Sequence, residues 1–235
     1  MLIPRRVCPL RCLTKFKTLP NMKVVAINGS PHKEGNTALA LNVLRDELAR
    51  FDIETEIIHI GNRPIHGCMA CGVCAKRRDL TCAIDDCVNE VLPRMAEADA
   101  IVLGSPVYYS GIAGTMKCFL DRAFYTASAS GGKFAGKVGA AVVAVRRAGA
   151  SATFAGLNYY LQISQMLMPG SSYWNMVHGR APGEAECDDE GTQTIRHLAR
   201  NIAWLLKMKA HAEGVIPAPE YEKVVRTQIS DRLKK

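Results

Sequence analysis

Lys23-Val24-Val25-Ala26-Ile27-Asn28, followed by Gly29-Ser30-Pro31-His32-Lys33-Glu34-Gly35-Asn36-Thr37, is the stretch on which the fold turns. Its first half is a short apolar run ending at a glycine, the pattern of a strand buried on both faces. Its second half is a loop that delivers the chain into a helix, with Asn36 as the expected N-cap and Leu41, Leu44 and Leu48 along one face. Residues 53–60 alternate and are β-branched, which predicts a second strand. Further on, residues 88–98 have helical spacing (Val88, Val91, Leu92, Met95), and Ala100-Ile101-Val102-Leu103-Gly104 reads as strand three. A loop is expected over residues 105–114, a helix over 115–125, an apolar strand four over 138–145 and a helix over 152–167. A short strand five is expected at 171–174, and an amphipathic final helix from Glu190, with Ile195, Leu198, Ile202 and Leu205 on one face. Strands that alternate with helices specify a parallel sheet with helices on both faces. Such sheets bind ligands beyond the carboxyl ends of their strands, where the strand order reverses. The loops after strands one, three and four are therefore expected to meet at one site.

Composition narrows the function classes. The chain has 235 residues, 48% hydrophobic and 22% charged, so it is neither disordered throughout nor a coiled-coil rod. No stretch reaches about 18 uninterrupted apolar residues, which predicts no membrane span. The net charge of +8 invites a nucleic-acid reading, but Arg5, Arg6, Arg11, Lys15 and Lys17 crowd into the first 22 residues with no acid among them. The rest carries 25 basic against 22 acidic residues. With no basic stripe interleaved with aromatics, nucleic-acid binding is not expected. Residues 1–21 have no usable periodicity and no secretory h-region; they are read as a disordered extension or a start-site error ahead of Met22. Cys8 and Cys12 are then assigned no function. Residues 22–213 are expected to form one domain, with a cysteine-rich insert at 61–87, and residues 214–235 a tail. Cytoplasmic location is the expectation.

The loop 29–37 joins a strand to a helix N-terminus, where free backbone N–H groups and the helix dipole make an anion site. Ser30, Asn36 and Thr37 add side-chain donors. The loop is neither GxxxxGK[ST] nor GxGxxG, which disfavours an ATPase and a Rossmann dehydrogenase; an ordinary βα turn is the competing reading. Ser105-Pro106-Val107-Tyr108-Tyr109-Ser110-Gly111 sets a rigid proline and two aromatics at the end of strand three, suited to a planar ring. Val145-Arg146-Arg147-Ala148-Gly149 sets two arginines at the end of strand four, able to face a phosphate or an electron-rich ring edge. The same aromatics could be core residues and the arginines merely solvated. All three loops at one sheet edge favour the functional reading.

Cys68-Met69-Ala70-Cys71-Gly72-Val73-Cys74, then Cys82 after seven residues, and Cys87 five positions later, form a separate constellation. Two consecutive x2 gaps put three thiolates on a tight turn, which suits iron–sulfur ligation better than a zinc ribbon. Cys82 is the natural fourth ligand and Cys87 the reserve. Zinc, or no metal at all, remains open; a disulfide framework is not expected without a secretory signal. Cys118 is expected to be packed and Cys187 free. Asp85 and Asp86 are expected to cap the helix beginning near Cys87. His66 is either a donor behind the cysteines or an ordinary loop residue.

GSPHKEGNT, SPVYYSGIAGTMKCFLDR and VRRAG resemble the flavodoxin-like FMN reductases, and in particular the iron–sulfur flavoproteins among them. The resemblance spans residues 23 to about 210. It implies a flavodoxin-like, doubly wound α/β fold with a five-stranded parallel sheet in the order 2-1-3-4-5 and the cysteine-rich insert after strand two. It implies FMN, with the phosphate on Ser30, His32, Asn36 and Thr37. The isoalloxazine would lie along Pro106, Val107, Tyr108 and Tyr109, near Arg147, Ala148 and Gly149. It also implies a 4Fe-4S cluster on Cys68, Cys71, Cys74 and Cys82. Electrons would pass from a ferredoxin-like carrier through the cluster to FMN and on to an acceptor. The alternatives are an NAD(P)H-dependent FMN or quinone reductase without a cluster, and a non-enzymatic zinc-binding or redox-sensing module. The resemblance further implies a homodimer or homotetramer, with the helix around residues 117–122 at a subunit boundary. Trp174, Asn175 and Met176 would cover a neighbouring flavin, with a core role for Trp174 as the alternative.

Overall fold

The buried run at residues 22–28 becomes the middle of a sheet because both of its faces are apolar. In the computed structural model, which describes residues 21–220, β1 (Met22–Asn28) pairs in parallel with β2 (Ile53–His59) on one side and β3 (Ala100–Tyr108) on the other. Val24 and Ala26 face one layer; Val25 and Ile27 face the other. β3 pairs in parallel with β5 (Val138–Val145), and β5 with β6 (Met176–His178). The parallel path runs β2-β1-β3-β5-β6, and the two-residue β4 (Gly111–Ile112) folds back antiparallel on β3.

Two apolar layers cover this sheet. Leu41, Leu44 and Leu48 of α1 (Asn36–Ala49) pack with Ile195, Leu198 and Ile202 of α6 (Asp189–Ala212) against one face. α3 (Cys87–Glu97), α4 (Gly114–Ala129) and α5 (Ala150–Ile163) cover the other with residues such as Leu92, Phe119 and Leu157. This is the doubly wound flavodoxin-like architecture. A short α2 (Val73–Arg77) lies in the long connection between β2 and α3. No helix among the described residues is long and apolar enough to cross a membrane.

Four expectations shift. The last strand is Met176–His178, not residues 171–174. Ser171 donates its hydroxyl to Asn175 Oδ1 (2.6 Å) and to the Tyr173 carbonyl, a local turn that competes with strand pairing. Strand three runs four residues beyond Gly104, into what reads as loop. The fifth helix stops at Ile163 because the chain turns at Gln165 (φ 57°) and Leu167 bridges to Val138. Trp174 is about half exposed and does not join the core. The extension expected at residues 1–21 lies outside the described residues but for Asn21; of the tail expected at 214–235, residues 214–220 are described and are exposed, and the rest lies outside them.

Candidate functional site

The carboxyl end of β1 is shaped by its own polar side chains. Asn28 Oδ1 accepts from Ser30 N (3.1 Å), Asn28 Nδ2 donates to the Lys33 carbonyl (3.2 Å), and Ser30 Oγ accepts from His32 N (3.1 Å). Ser30 thus builds the loop from a buried position, while His32 is exposed. The β2 connection locks this loop from the side. His59 Nε2 donates to the Ser30 carbonyl (2.8 Å), and a Cβ on Gly61 would lie 1.9 Å from that carbonyl oxygen, so only glycine fits.

Asn36 is not the cap of α1. Gly35 holds that position and makes no side-chain hydrogen bond, which leaves the first amides of the helix open. Asn36 reaches across the chain instead, donating to the Ala181 carbonyl (2.9 Å) and accepting from Ala185 N (3.2 Å). Thr37, one residue on, is 1% exposed, and its Oγ1 has no hydrogen-bond partner among the described residues.

The second loop is a β-hairpin. Val107 pairs with Ile112 and Tyr108 with Gly111, so Tyr109 and Ser110 form the turn, both at positive φ (47° and 58°). That is the pattern of a type I′ turn, usually made by Asn-Gly. Pro106 and Val107 are half-buried, and Tyr108 and Tyr109 are exposed. The third loop leans on this hairpin. Gly149 (φ 88°) opens α5, and a Cβ there would stand 2.7 Å from Ser110 Oγ and 3.0 Å from Val107 Cγ1. Arg146, Arg147 and Ala148 are exposed beside it. The first loop joins the second through Gly29 N donating to the Gly104 carbonyl (2.9 Å), and Thr37 packs on Gly104. Thr37, Tyr108 and Ala148 therefore belong to three adjoining loops at one sheet edge. A separate groove of about 680 Å³ runs beside α1 from Asn28 and Lys33 toward Arg196, and includes none of the hairpin or residues 146–149.

Below the hairpin, α4 carries the chain to the cysteines. Cys68, Cys71, Cys74 and Cys82 line one small depression, floored by Arg122 and Thr126 of α4. Among the described residues no three His, Cys, Asp or Glu side chains stand close enough to hold a single metal ion. Cys87 is not part of the depression: it is buried at the start of α3, where burial pushes its thiol up and the Asp86 carboxylate adds to this. Asp86 caps α3 as expected, accepting from Val88 N (3.0 Å). Asn89 fastens the Cys82 turn, accepting from Cys82 N (2.8 Å) and donating to its carbonyl (3.1 Å). His66 is exposed, with Nδ1 donating to the adjacent Gly67 carbonyl (2.7 Å). Cys118 is partly buried and Cys187 exposed.

Residues 22–181 match the family model described as NADPH-dependent FMN reductase. The chain belongs to that family. An iron-sulfur flavoprotein of Methanocaldococcus jannaschii is 35% identical over 194 residues, covering 80% of this chain and 98% of that protein. An iron-sulfur flavoprotein of Archaeoglobus fulgidus is 33% identical over 210 residues, 87% and 99% of the two chains. Among solved structures, RosB with bound 8-demethyl-8-formylriboflavin-5'-phosphate superposes with a TM-score of 0.61 at 14% identity, covering 88% of this chain and 92% of that one. An archaeal flavodoxin gives 0.52 at 19%, covering 79% and 99%. These two show the fold alone. As a member of the FMN reductase family, the protein is a flavin-dependent oxidoreductase.

The residues present fit the family's flavin. A buried hydroxyl without a partner beside open helix amides is what an anionic phosphate completes. Two side chains were missed or misplaced by sequence reasoning. Asn36 is satisfied within the protein by partners about 145 residues away, which no local pattern signals. Arg122 was given no role of its own beyond lying on a helix expected at a subunit boundary; its side chain is fully buried and paired with Asp86. A visible signal was its place among Met116, Phe119, Leu120 and Ala123, the apolar face of α4.

Proposed function

We propose that this protein binds FMN at the three-loop edge and reduces it with electrons from NAD(P)H, passing them to a small or protein acceptor. One observation carries the reading: Thr37 presents a buried, unpartnered hydroxyl at the amino end of α1, where the loops after β1, β3 and β5 adjoin. Thr37 Oγ1 and the open α1 amides would hold the phosphate. The backbone of residues 105–108 and the Tyr108 ring would seat the flavin, and Arg147, Ala148 and Gly149 would close its polar edge. Ser30 and Asn36 act behind this surface, Ser30 by shaping the loop and Asn36 by tying residues 181–185 to it. Bound FMN supplies hydride and one-electron chemistry. The exposed rim at Tyr109 and Arg147 leaves room for a nicotinamide to approach.

A second reading adds an iron–sulfur centre on Cys68, Cys71, Cys74 and Cys82, with a one-electron carrier as donor. The shared depression supports it, as do the relatives named iron-sulfur flavoproteins. Iron–sulfur clusters are held by Cys thiolates, and a four-iron cluster places them on separate irons rather than gathering them on one ion.

Anaerobic purification followed by flavin, iron and sulfide quantification tests both. FMN should raise the melting temperature, by an amount equivalent to about 2.7 kcal/mol at a hundredfold excess over Kd, and riboflavin should raise it less. Equal effects of the two would refute the phosphate site. NADPH oxidation by iron-free protein supports the first reading. Stoichiometric iron and sulfide, with flavin reduction only through a one-electron donor, supports the second.

A further inference from the structure

The floor of the cysteine depression is made by two buried polar side chains one turn apart on α4. Arg122 has a side chain with no exposure, yet its guanidinium makes five polar contacts, all within residues 66–86. It donates to both oxygens of Asp86 (2.9 and 2.5 Å), to the Ile84 carbonyl (2.9 Å) and to the His66 carbonyl (3.3 Å). The remaining Nε–H points at Cys82 Sγ (3.3 Å). Asp86 already balances the charge, so a structural pin needs nothing from the sulfur. Thr126 is 1% exposed and lines the same depression. A threonine inside a helix commonly bonds back to its i−4 carbonyl, but Thr126 Oγ1 has no partner among the described residues. A buried hydroxyl left unpaired is destabilising, so an acceptor in the depression would be favoured.

We infer that Arg122 and Thr126 are hydrogen-bond donors to the sulfur atoms of an anionic, thiolate-ligated iron centre in this depression, and that they set its reduction potential. The inference rests on the second reading above. Donors aimed at sulfur stabilise the reduced state more than the oxidised one, because the reduced state carries one more negative charge; they therefore raise the potential. They are positioning residues, since the cysteines do the ligating. The same helix begins under the flavin hairpin, where Met116 packs on Gly29. Arg122 lies roughly 9 Å further along the axis, at about 1.5 Å per residue.

The test is a redox titration of anaerobically reconstituted full-length protein, with iron, sulfide and FMN measured on each sample. Thr126→Val keeps the shape and removes the hydroxyl. It should hold wild-type iron, sulfide and FMN and shift the oxidised-to-reduced ratio of the iron centre at fixed poise by roughly three- to tenfold toward oxidised. Thr126→Ser should restore the wild-type value. Arg122→Lys keeps a cation but cannot serve Asp86, Ile84, His66 and Cys82 together, and should lower the iron-to-FMN ratio with FMN retained. A Thr126→Val protein with full iron and an unmoved potential overturns the role of Thr126. An Arg122→Lys protein with wild-type iron and potential overturns that of Arg122. Wild-type protein that binds FMN but takes up no iron overturns the cluster reading and this inference together, and leaves the NAD(P)H reductase reading intact.

Discussion

Thr37 shows how one side chain can carry a functional reading. Its methyl packs against Gly104, so the hydroxyl is held in place, yet no atom of the described residues answers it. Removing a group with no folded partner should cost the fold little, whereas removing a donor to a charged phosphate costs about 1.5–3 kcal/mol. Thr37→Val should therefore melt at or above the wild-type temperature without flavin, while its FMN dissociation constant rises roughly 10- to 100-fold by fluorescence titration. An unchanged constant would remove Thr37 from the site. Thr37 was legible from the strand–loop–helix pattern, because phosphate binding at a helix start is local physics. Ser30 and Asn36 looked equivalent to it in sequence. Their roles diverge because the acceptors and donors that satisfy them are known only once residues 32, 181 and 185 have positions.

The hairpin at the end of β3 belongs to the element scale. Tyr109 and Ser110 both sit at left-handed φ, which disfavours side chains with a Cβ by about 1–2 kcal/mol per residue. Replacing Tyr109-Ser110 by Asn-Gly should raise stability by about 1 kcal/mol in urea melts. Flavin turnover should fall, since the strained turn is what presents Tyr109 at the rim. Gain of stability with unchanged turnover would show that the turn has no part in the site. The hairpin was hidden because its turn falls on Tyr109-Ser110, not one of the usual turn pairs, and not on the Ser110-Gly111 pair beside it; its geometry is imposed by Ser105 Oγ, which accepts from Ala113 N (3.1 Å), and by Gly149 seated against Ser110. On the opposite face, α1 and α6 are joined by Glu47, 5% exposed, which accepts from Arg200 Nε (2.7 Å) and Arg50 (3.1 Å). Those hydrogen bonds, Arg200 first, hold its carboxyl below the ordinary value of 4.5 despite burial. A carboxylate whose pKa is depressed by folding stabilises the fold above its unfolded pKa, and that contribution is lost as pH falls through the folded value. The melting-temperature gap between wild type and Glu47→Gln should thus be full at pH 7 and close below about pH 4.5.

At the scale of the whole molecule, the sheet decides which loops can share a ligand. β1 is flanked by β2 and β3, so the chain leaves it across one face through α1 and returns across the other through α3. The carboxyl ends of β1 and β3 then open onto one crevice. The cysteine connection is anchored to the same frame by α4, which runs from the hairpin to Arg122 and Thr126. Arg122 is fully buried and Asp86 partly so, and breaking a buried ion pair from one side costs up to about 3–5 kcal/mol. Arg122→Met should therefore unfold or loosen the cysteine connection first, seen as faster amide exchange over residues 66–86, while exchange in β1 and β5 stays at wild-type rates.

The sequence by itself determined the alternation of strands and helices, the buried character of β1, β3 and β5, and the kind of chemistry available at residues 29–37 and 68–82. Those properties follow from local period and side-chain type, which hydrophobic burial and helix-end electrostatics act upon directly. Only the tertiary structure decided that Asn36 fastens a distant segment, that Tyr109 and Ser110 make a strained turn, that Cys82 rather than Cys87 faces the other cysteines, and that Arg122 and Thr126 lie beneath them. Each of these depends on a partner far along the chain. Whether a polar group is satisfied, exposed or left over is a property of its neighbours in space, and no local pattern carries it.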